Sequence, residues 1–134
     1  VLEYGVHRYR AEWHRIEAEW FSACEDGLKV ESARGGFVVR FASPGVISWD
    51  GVEGATACSN LLICGAASGT VPSVLHIVID GESAGRLPVG PSGDIDTPFF
   101  FLESIPIPGV GRRLEIHVEP STGASVELDW WRVT

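Results

Sequence analysis

Two glutamates stand one residue apart near the start of this chain, in the stretch RIEAEWF. Glu17 and Glu19 alternate there with three apolar residues, Ile16, Ala18 and Trp20. Because side chains of a strand point to opposite faces in turn, a strand here would bury the apolar set and hold both carboxylates on one face. Two like charges at that spacing repel each other, so the pattern predicts a positive partner between them.

The last apolar segment of the chain, VELDWW, supplies a third carboxylate. Asp129 lies between Leu128 and Trp130 and is predicted to point away from the face that they fill. Sandwich folds commonly pair the first strand with the last, which would bring Asp129 beside the two glutamates. Three converging carboxylates suit calcium, which binds roughly six to eight oxygens. The alternative is a surface salt bridge in which Arg15, on the same strand face, neutralises the glutamates.

The overall charge limits the kind of partner that such a site can serve. Ten Lys and Arg against 18 Asp and Glu give a net charge of -8. Nucleic acids and anionic membranes need a basic surface, so neither is expected as a partner. No apolar run approaches the roughly 20 residues that a membrane helix needs. Neutral sugars and cations fit this charge, and so does simple solubility.

The elements that position these residues are predicted to be strands. Glycine (16) and proline (8) are frequent, and the apolar runs are short. About nine runs such as GFVVRFA, SVLHIVID and RRLEIHVEP are separated by turn residues, which predicts an all-β fold, a two-sheet β-sandwich. Residues 14–134 are expected to form this module, and residues 1–13 a linker remnant or an added edge strand. Because the sequence contains no methionine, we expect it to be part of a longer protein.

The three cysteines do not predict a disulfide framework. Cys58 and Cys64 lie six residues apart in one predicted strand, about 20 Å if extended, which is too far for a bond between them. Only one of the two can pair with Cys24. We therefore expect three free thiols, or one bond from Cys24 to a strand cysteine.

Four segments together resemble carbohydrate-binding modules of families 6 and 35. They are RIEAEWF, ARGGFVVRFASPGVISWD, PVGPSGDIDTPFF and VELDWWRV, in that order, and they cover residues 15–133. Such modules are jelly-roll β-sandwiches that are appended to secreted glycan-active enzymes. The resemblance implies a structural Ca²⁺ held by Glu17, Glu19 and Asp129. It also implies a noncatalytic, extracellular, monomeric module that binds polysaccharide or oligosaccharide beside a catalytic domain in the same parent chain.

The same resemblance suggests where a glycan would bind. These modules use a tyrosine or tryptophan after the Gly-Gly strand, a tryptophan near SGDID and an asparagine two residues before the calcium aspartate. Here Phe41, Ile95 or Asp96, and Glu127 occupy those positions. A phenylalanine can stack on a sugar ring, whereas Glu127 accepts hydrogen bonds but does not donate them at neutral pH. The predicted ligand-binding residues are Arg40, Phe41, Trp49, Asp96 and Glu127.

Two other functions fit the same residues. A structural spacer of the same fold would have lost its ligand. A small glycan-active enzyme would use a pair among Glu17, Glu19, Glu127 and Asp129 as acid and base. Side chains two apart on one strand project in parallel, not from opposite sides of a cleft, which disfavours the enzyme.

Overall fold

A computed structural model describes residues 2–3, 6–7, 9–10, 15–32, 35–53, 60–90, 94–107 and 113–134. The strands are β1 Leu2–Glu3, β2 Val6–His7, β3 Tyr9–Arg10, β4 Ile16–Glu17, β5 Ala23–Glu31, β6 Phe37–Asp50, β7 Val52–Glu53, β8 Asn60–Gly69, β9 Ser73–Ile79, β10 Glu82–Val89, β11 Asp94–Pro106, β12 Arg113–Glu119 and β13 Val126–Val133. A short 3₁₀ helix covers Ala18–Trp20. Within these ranges, no helix has the length and apolar character needed to cross a membrane.

Nine strands form one continuous antiparallel sheet that folds into the two layers of a β-sandwich. The order is β10-β9-β12-β6-β13-β8-β11, with β4 added on β13 and β5 added on β6. β6 is shared between the layers, because residues 45–50 pair with β12 whereas residues 39–41 pair with β13. We call β10, β9, β12 and the second half of β6 the β9 sheet. The first half of β6, with β13, β8 and β11, is the β8 sheet.

The crease between the two sheets lies within β6. The Cα partner on β6 jumps from Val46 to Phe41 across a single residue of β5, Asp26, so four residues of β6 bulge at this point. Asp26 takes a left-handed φ of 62°. A Cβ at Gly27 or Gly45 would lie 2.7 or 2.8 Å from the Phe41 ring. The two glycines therefore make the room in which this ring packs.

The core fills the space between the sheets with inward-facing aliphatic and aromatic side chains. Leu114, Ile116 and Val118 are buried, as their alternation with polar residues predicts. Trp49 of the β9 sheet meets Trp131 of the β8 sheet edge to face, with ring centroids 5.5 Å apart and an interplanar angle of 68°. Both tryptophans are at most 1% exposed and tie the two layers together. The predicted all-β sandwich is confirmed.

The first short strands pair apart from this sheet. β1 pairs with β2, and β3 pairs in parallel with β7. Over the described part of residues 1–13, these strands form two-stranded units and do not join the nine-stranded sheet. Whether this segment is a linker remnant or an added edge strand stays a prediction.

Candidate functional site

The candidate metal site lies where β13 changes neighbours. Leu128 pairs with Val39 of β6, whereas Trp130 pairs with Glu17 of β4. Against β8 the register of β13 shifts between Leu128 and Trp130, so Asp129 is the extra residue of a β-bulge. Bulges redirect side chains and often lie beside functional sites. The first and last strands of the module therefore meet at Asp129, as the sequence predicted.

The local structure around the two glutamates differs from the predicted strand. β4 ends at Glu17, and the 3₁₀ helix begins at the next residue. Ile16 and Ala18 are buried as predicted, but Trp20 is 50% exposed because the turn carries it out of the alternation. The bulge has a similar effect on β13, where Trp131, and not Trp130, shares the inner face with Leu128.

Glu17 lies in a partly buried and crowded electrostatic environment. Burial raises the pKa of Glu17 above its ordinary value, and the charges of Glu19 and Asp129 raise it further. Arg15 opposes this rise, since its Nε lies 3.1 Å from Glu17 Oε1. The predicted salt bridge is therefore present, but it coexists with repulsion among three carboxylates.

Glu19 has a carboxylate oxygen that no protein group satisfies. Its Oε2 is buried and lacks a hydrogen-bond partner. Burial raises the pKa of Glu19, Asp129 raises it further, and a backbone hydrogen bond, Lys29 and Arg15 lower it. A buried polar atom left without a partner is costly, because it has lost its water without replacement. The ion pair between Arg15 and Glu17 therefore does not supply a partner for Glu19 Oε2.

The three carboxylates are the kind of oxygen ligand that a hard cation prefers, but their spacing does not enclose an ion. Across the described ranges, no three or more His, Cys, Asp or Glu side chains are close enough to enclose a metal ion directly. The charge of Asp129 nevertheless acts on both Glu17 and Glu19, so the three carboxylates lie within electrostatic range. This electrostatic coupling and the buried Glu19 oxygen without a partner both favour a shared cation, around which the side chains can close through small rotamer changes. An all-oxygen set of this kind suits Ca²⁺.

The structure brings together two of the predicted glycan-binding residues. Arg40 of β6 and Glu127 of β13 are direct cross-strand neighbours on the outer face of the β8 sheet. Arg40 donates to one oxygen, Glu127 Oε2, from Nε at 2.8 Å and from Nη2 at 2.5 Å. Leu28, which pairs with Arg40 from β5, is 70% exposed beside them. This surface therefore offers charged hydrogen-bonding groups next to an apolar side chain.

The two predicted aromatic contacts lie in the core instead. Phe41 and Trp49 are both 0% exposed. Phe41 is buried because it points inward at the crease, and Trp49 because it packs against Trp131. Neither ring presents a face to a sugar in this structure. Asp96 belongs to β11, but its side chain lies outside the described residues.

Sequence reasoning missed the aromatic rings that do reach the surface. Trp20 is 50% exposed and Phe37 is 39% exposed, with Lys29 Nζ 4.4 Å from the centroid of the Phe37 ring. Trp130 is partly buried, and Arg15 Cζ lies 5.6 Å from its centroid. Alternation predicted Trp20 as a core residue, so only the observed end of β4 reveals its exposure.

Among the described cysteines, Cys24 is a free thiol. Cys24 and Cys64 are both partly buried and form no disulfide, and Cys58 lies outside the described residues. Burial raises the pKa of the Cys24 thiol, the neighbouring acids Asp26 and Glu25 raise it further, and a hydrogen bond from the Gly27 backbone opposes the rise. Disulfides therefore do not stabilise the sandwich at these two positions.

Comparison with known proteins shows which fold this is. No protein-family model and no curated protein sequence matches the chain. Among solved structures, the module CsCBM6-3 from Clostridium stercorarium in complex with cellobiose matches with a TM-score of 0.73 at 14% identity, over 96% of this chain and 98% of that one. A β-1,3-glucan-binding family 6 module from Bacillus halodurans matches with a TM-score of 0.71 at 13% identity, over 95% and 98%.

A third match is part of a larger enzyme. The family 43 arabinoxylan arabinofuranohydrolase from Bacillus subtilis, in complex with cellotetraose, matches at 20% identity with a TM-score of 0.71. The match covers 96% of this chain but only 28% of the enzyme. The chain thus has the jelly-roll β-sandwich fold of the family 6 carbohydrate-binding modules.

Proposed function

We propose that this chain is a noncatalytic carbohydrate-binding module. The observation that carries the proposal is the match of the whole fold to family 6 modules, one solved with cellobiose and another described as binding β-1,3-glucan. The acidic chain, which disfavours nucleic acid and anionic membranes, agrees with a neutral glycan as ligand. The match to one part of an arabinofuranohydrolase supports a place beside a catalytic domain in a secreted parent chain.

Calcium is proposed as the structural ion of this module. Glu17, Glu19 and Asp129 would hold it, with backbone carbonyls and water completing the shell. The ion would supply positive charge among carboxylates that raise the pKa of the two glutamates. Because Glu17 and Asp129 belong to the first and last strands of the sandwich, the ion would clip those strands together. Its role is stability and not catalysis.

The proposed glycan surface centres on Arg40 and Glu127, and Asp96 stays a predicted contact of the same ligand. Arg40 carries guanidinium N–H groups beyond the two bound to Glu127, and these can donate to sugar hydroxyl oxygens. Glu127 Oε1 can accept from a hydroxyl. Trp20 and Phe37 are exposed aromatic rings elsewhere on the module, whereas Phe41 and Trp49 are buried, so the Arg40–Glu127 surface relies on polar contacts and on the apolar Leu28.

The test is a binding screen with calcium present and absent. Cello-oligosaccharides, xylo-oligosaccharides and β-1,3-glucan form the first panel, and native gels containing each polysaccharide report retardation. We expect retardation by at least one glycan and no hydrolysis of any. Release of reducing sugar would favour the small enzyme that uses Glu and Asp pairs. Binding of none of a broad glycan array would contradict the proposal.

A ligand-free structural spacer is the second candidate. One observation favours it: Arg40 and Glu127 already satisfy each other, while Phe41 and Trp49 are buried. A spacer would keep the calcium-dependent stability and show no glycan binding. Thermal melting and the gel assay together therefore separate the two candidates.

A further inference from the structure

A pair of histidines lies on the outer face of the β9 sheet, away from the sites described above. His76 of β9 and His117 of β12 are direct cross-strand partners. Both are partly exposed, and their ring centroids lie 5.7 Å apart with an interplanar angle of 53°. Side chains that face each other across an antiparallel pair form a unit on the sheet surface.

Each ring has a polar neighbour on the sheet surface, but only His76 has a hydrogen-bond partner at short distance. His76 Nε2 lies 2.8 Å from Ser83 Oγ, and which atom donates depends on the tautomer. His117 Nε2 lies 3.8 Å from Glu115 Oε1. Ser83 and Glu115 both pair with Val78, the outward residue next along β9 from His76. Because Ser83 belongs to β10 and Glu115 to β12, the two Nε2 atoms lie toward opposite sides of Val78 on the same sheet face, and a shared ion requires the His76 ring to turn away from Ser83.

The charged groups around the pair leave this surface open to a cation. Arg86 pairs with His76 across β10 and β9, but its Nη1 donates to Glu119 Oε2 at 2.6 Å. Arg113 contacts both Glu115 at 3.6 Å and Asp50 at 2.8 Å. Each arginine near the pair is thus matched by a carboxylate.

The spacing of the rings suits two imidazoles on one metal ion. With a metal–nitrogen distance of about 2.0–2.1 Å, two imidazole centroids on one ion lie roughly 5 Å apart in tetrahedral geometry and up to roughly 6.4 Å as the angle opens. The observed 5.7 Å falls in this range. The described residues gather no third His, Cys, Asp or Glu into a ligand group here, so water would complete the shell. Imidazole ligands select Zn²⁺, Ni²⁺ or Cu²⁺ and not calcium.

We propose that His76 and His117 form a second metal site, a two-imidazole chelate for a divalent transition metal on the outer face of the β9 sheet. Glu115 acts beside the site, where its carboxylate orients the His117 ring and adds negative charge. Binding displaces the Ser83 hydroxyl from His76. The site is independent of the proposed glycan surface and of the carboxylate cluster at Asp129.

The test is calorimetric titration of Ni²⁺ into the tag-free full chain with calcium present. We expect one ion per chain, with H76N and H117N each weakening affinity by about tenfold or more, and E115Q by about tenfold. S83A should strengthen binding, because Nε2 of His76 is then free of its hydroxyl partner. Gain of affinity in S83A keeps the test decisive even if a histidine variant folds poorly.

Two control variants identify the source of any binding. The double variant H7N/H14N removes the other two histidines and should bind Ni²⁺ like the parent. D129N should lose its calcium response and keep its Ni²⁺ affinity. Undiminished binding in both H76N and H117N would overturn the proposal, and so would the absence of saturable binding in the parent. Neither outcome bears on glycan binding.

Discussion

Arg40 and Glu127 face each other across β6 and β13, and two nitrogens of the arginine donate to a single carboxylate oxygen. The pair lies on a sheet face and not inside the core, with the Arg40 side chain 46% and the Glu127 side chain 14% exposed. Because the Arg40 end of this ion pair is open to solvent, the pair contributes modestly to folding. The pair leaves Glu127 Oε1 and several Arg40 N–H groups available on this face, and these are the groups that the proposed glycan surface would use.

We expect the Glu127→Gln and Arg40→Gln variants to lose most glycan affinity while their free energy of unfolding falls by no more than about 1 kcal/mol. The physical reason is that solvent screens the pair, whereas a sugar needs both groups in place. Affinity gels and urea denaturation measure the two effects. The control is Arg86→Gln, which breaks an arginine–carboxylate ion pair on the other sheet. Equal glycan affinity in all three variants and the parent would exclude this surface.

Removal of calcium should lower the melting temperature by several degrees. A ligand that binds only the folded state at a hundredfold above its Kd stabilises by about 2.7 kcal/mol. That corresponds to a shift of roughly 2–8 °C per kcal/mol for domains near this size. Asp129→Asn should melt near the chelated parent and respond little to added calcium, as differential scanning fluorimetry can measure.

Two variants separate this calcium prediction from its alternative. Glu103→Gln removes an exposed acid on another strand and should keep the full calcium response. Arg15→Gln removes the ion pair with Glu17 and should also keep it. If chelation changes nothing while Arg15→Gln destabilises the protein, the salt bridge alone explains the cluster.

Phe41→Ala should cost about 3–5 kcal/mol of stability, because it empties a packed core position. A surface platform for sugar would show almost no cost. The matched control is Leu28→Ala, at a side chain that is 70% exposed, for which a change within about 0.5 kcal/mol is expected. Urea denaturation of both variants measures the difference. A small cost at Phe41 would mean that the ring leaves the crease in solution.

Cys24 should alkylate more slowly in the folded protein than in urea, and its rate should rise at a higher pH than that of an ordinary thiol. Only the thiolate reacts, and burial raises the pKa of this group. The pKa of Cys24 is higher in the folded than in the unfolded protein. Its contribution to the free energy of unfolding is therefore fully present below the unfolded-state pKa and is lost as the pH rises through the folded-state pKa. Iodoacetamide labelling with peptide mapping measures the rate.

The Cys24→Ala variant provides the control for that pH dependence. It should abolish this part of the alkaline loss of stability and leave the rest of the pH profile unchanged. Labelling of Cys24 at the rate of an unfolded thiol across the whole pH range would contradict the shift.

Local patterns in the sequence predicted the strands, because alternation depends on neighbours within one strand. The common pairing of first and last strands in sandwich folds predicted that Glu17 lies close to Asp129, as the pairing of β4 with β13 shows. Local patterns failed where a partner strand decides the outcome. The bulge at Asp129 arises from registry with β8, and Phe41 is buried because Gly27 and Gly45 make room for it from other parts of β5 and β6. Such contacts join residues that are far apart in sequence or that meet only across a bulge.

The residues predicted for glycan binding divide in the structure: Arg40 and Glu127 are neighbours on an outer sheet face, where their role stays a prediction, whereas Phe41 and Trp49 are buried. The position of a residue in the sequence predicts where along a strand it lies, and Arg40 and Glu127 are neighbours across β6 and β13. It does not fix which face a side chain occupies after a bulge, and a shift of one residue reverses that face. The aromatic positions were therefore the less predictable part of the site.

β6 has a consequence for how the molecule opens. Since one strand pairs with β12 along one half and with β13 along the other, and β5 lies along both halves, the two sheets are joined through continuous strands as well as through core contacts. Loss of either layer would also strip the shared strand and expose the core. We therefore expect amide protons of β8 and β9, although in different layers, to exchange with solvent through the same global opening.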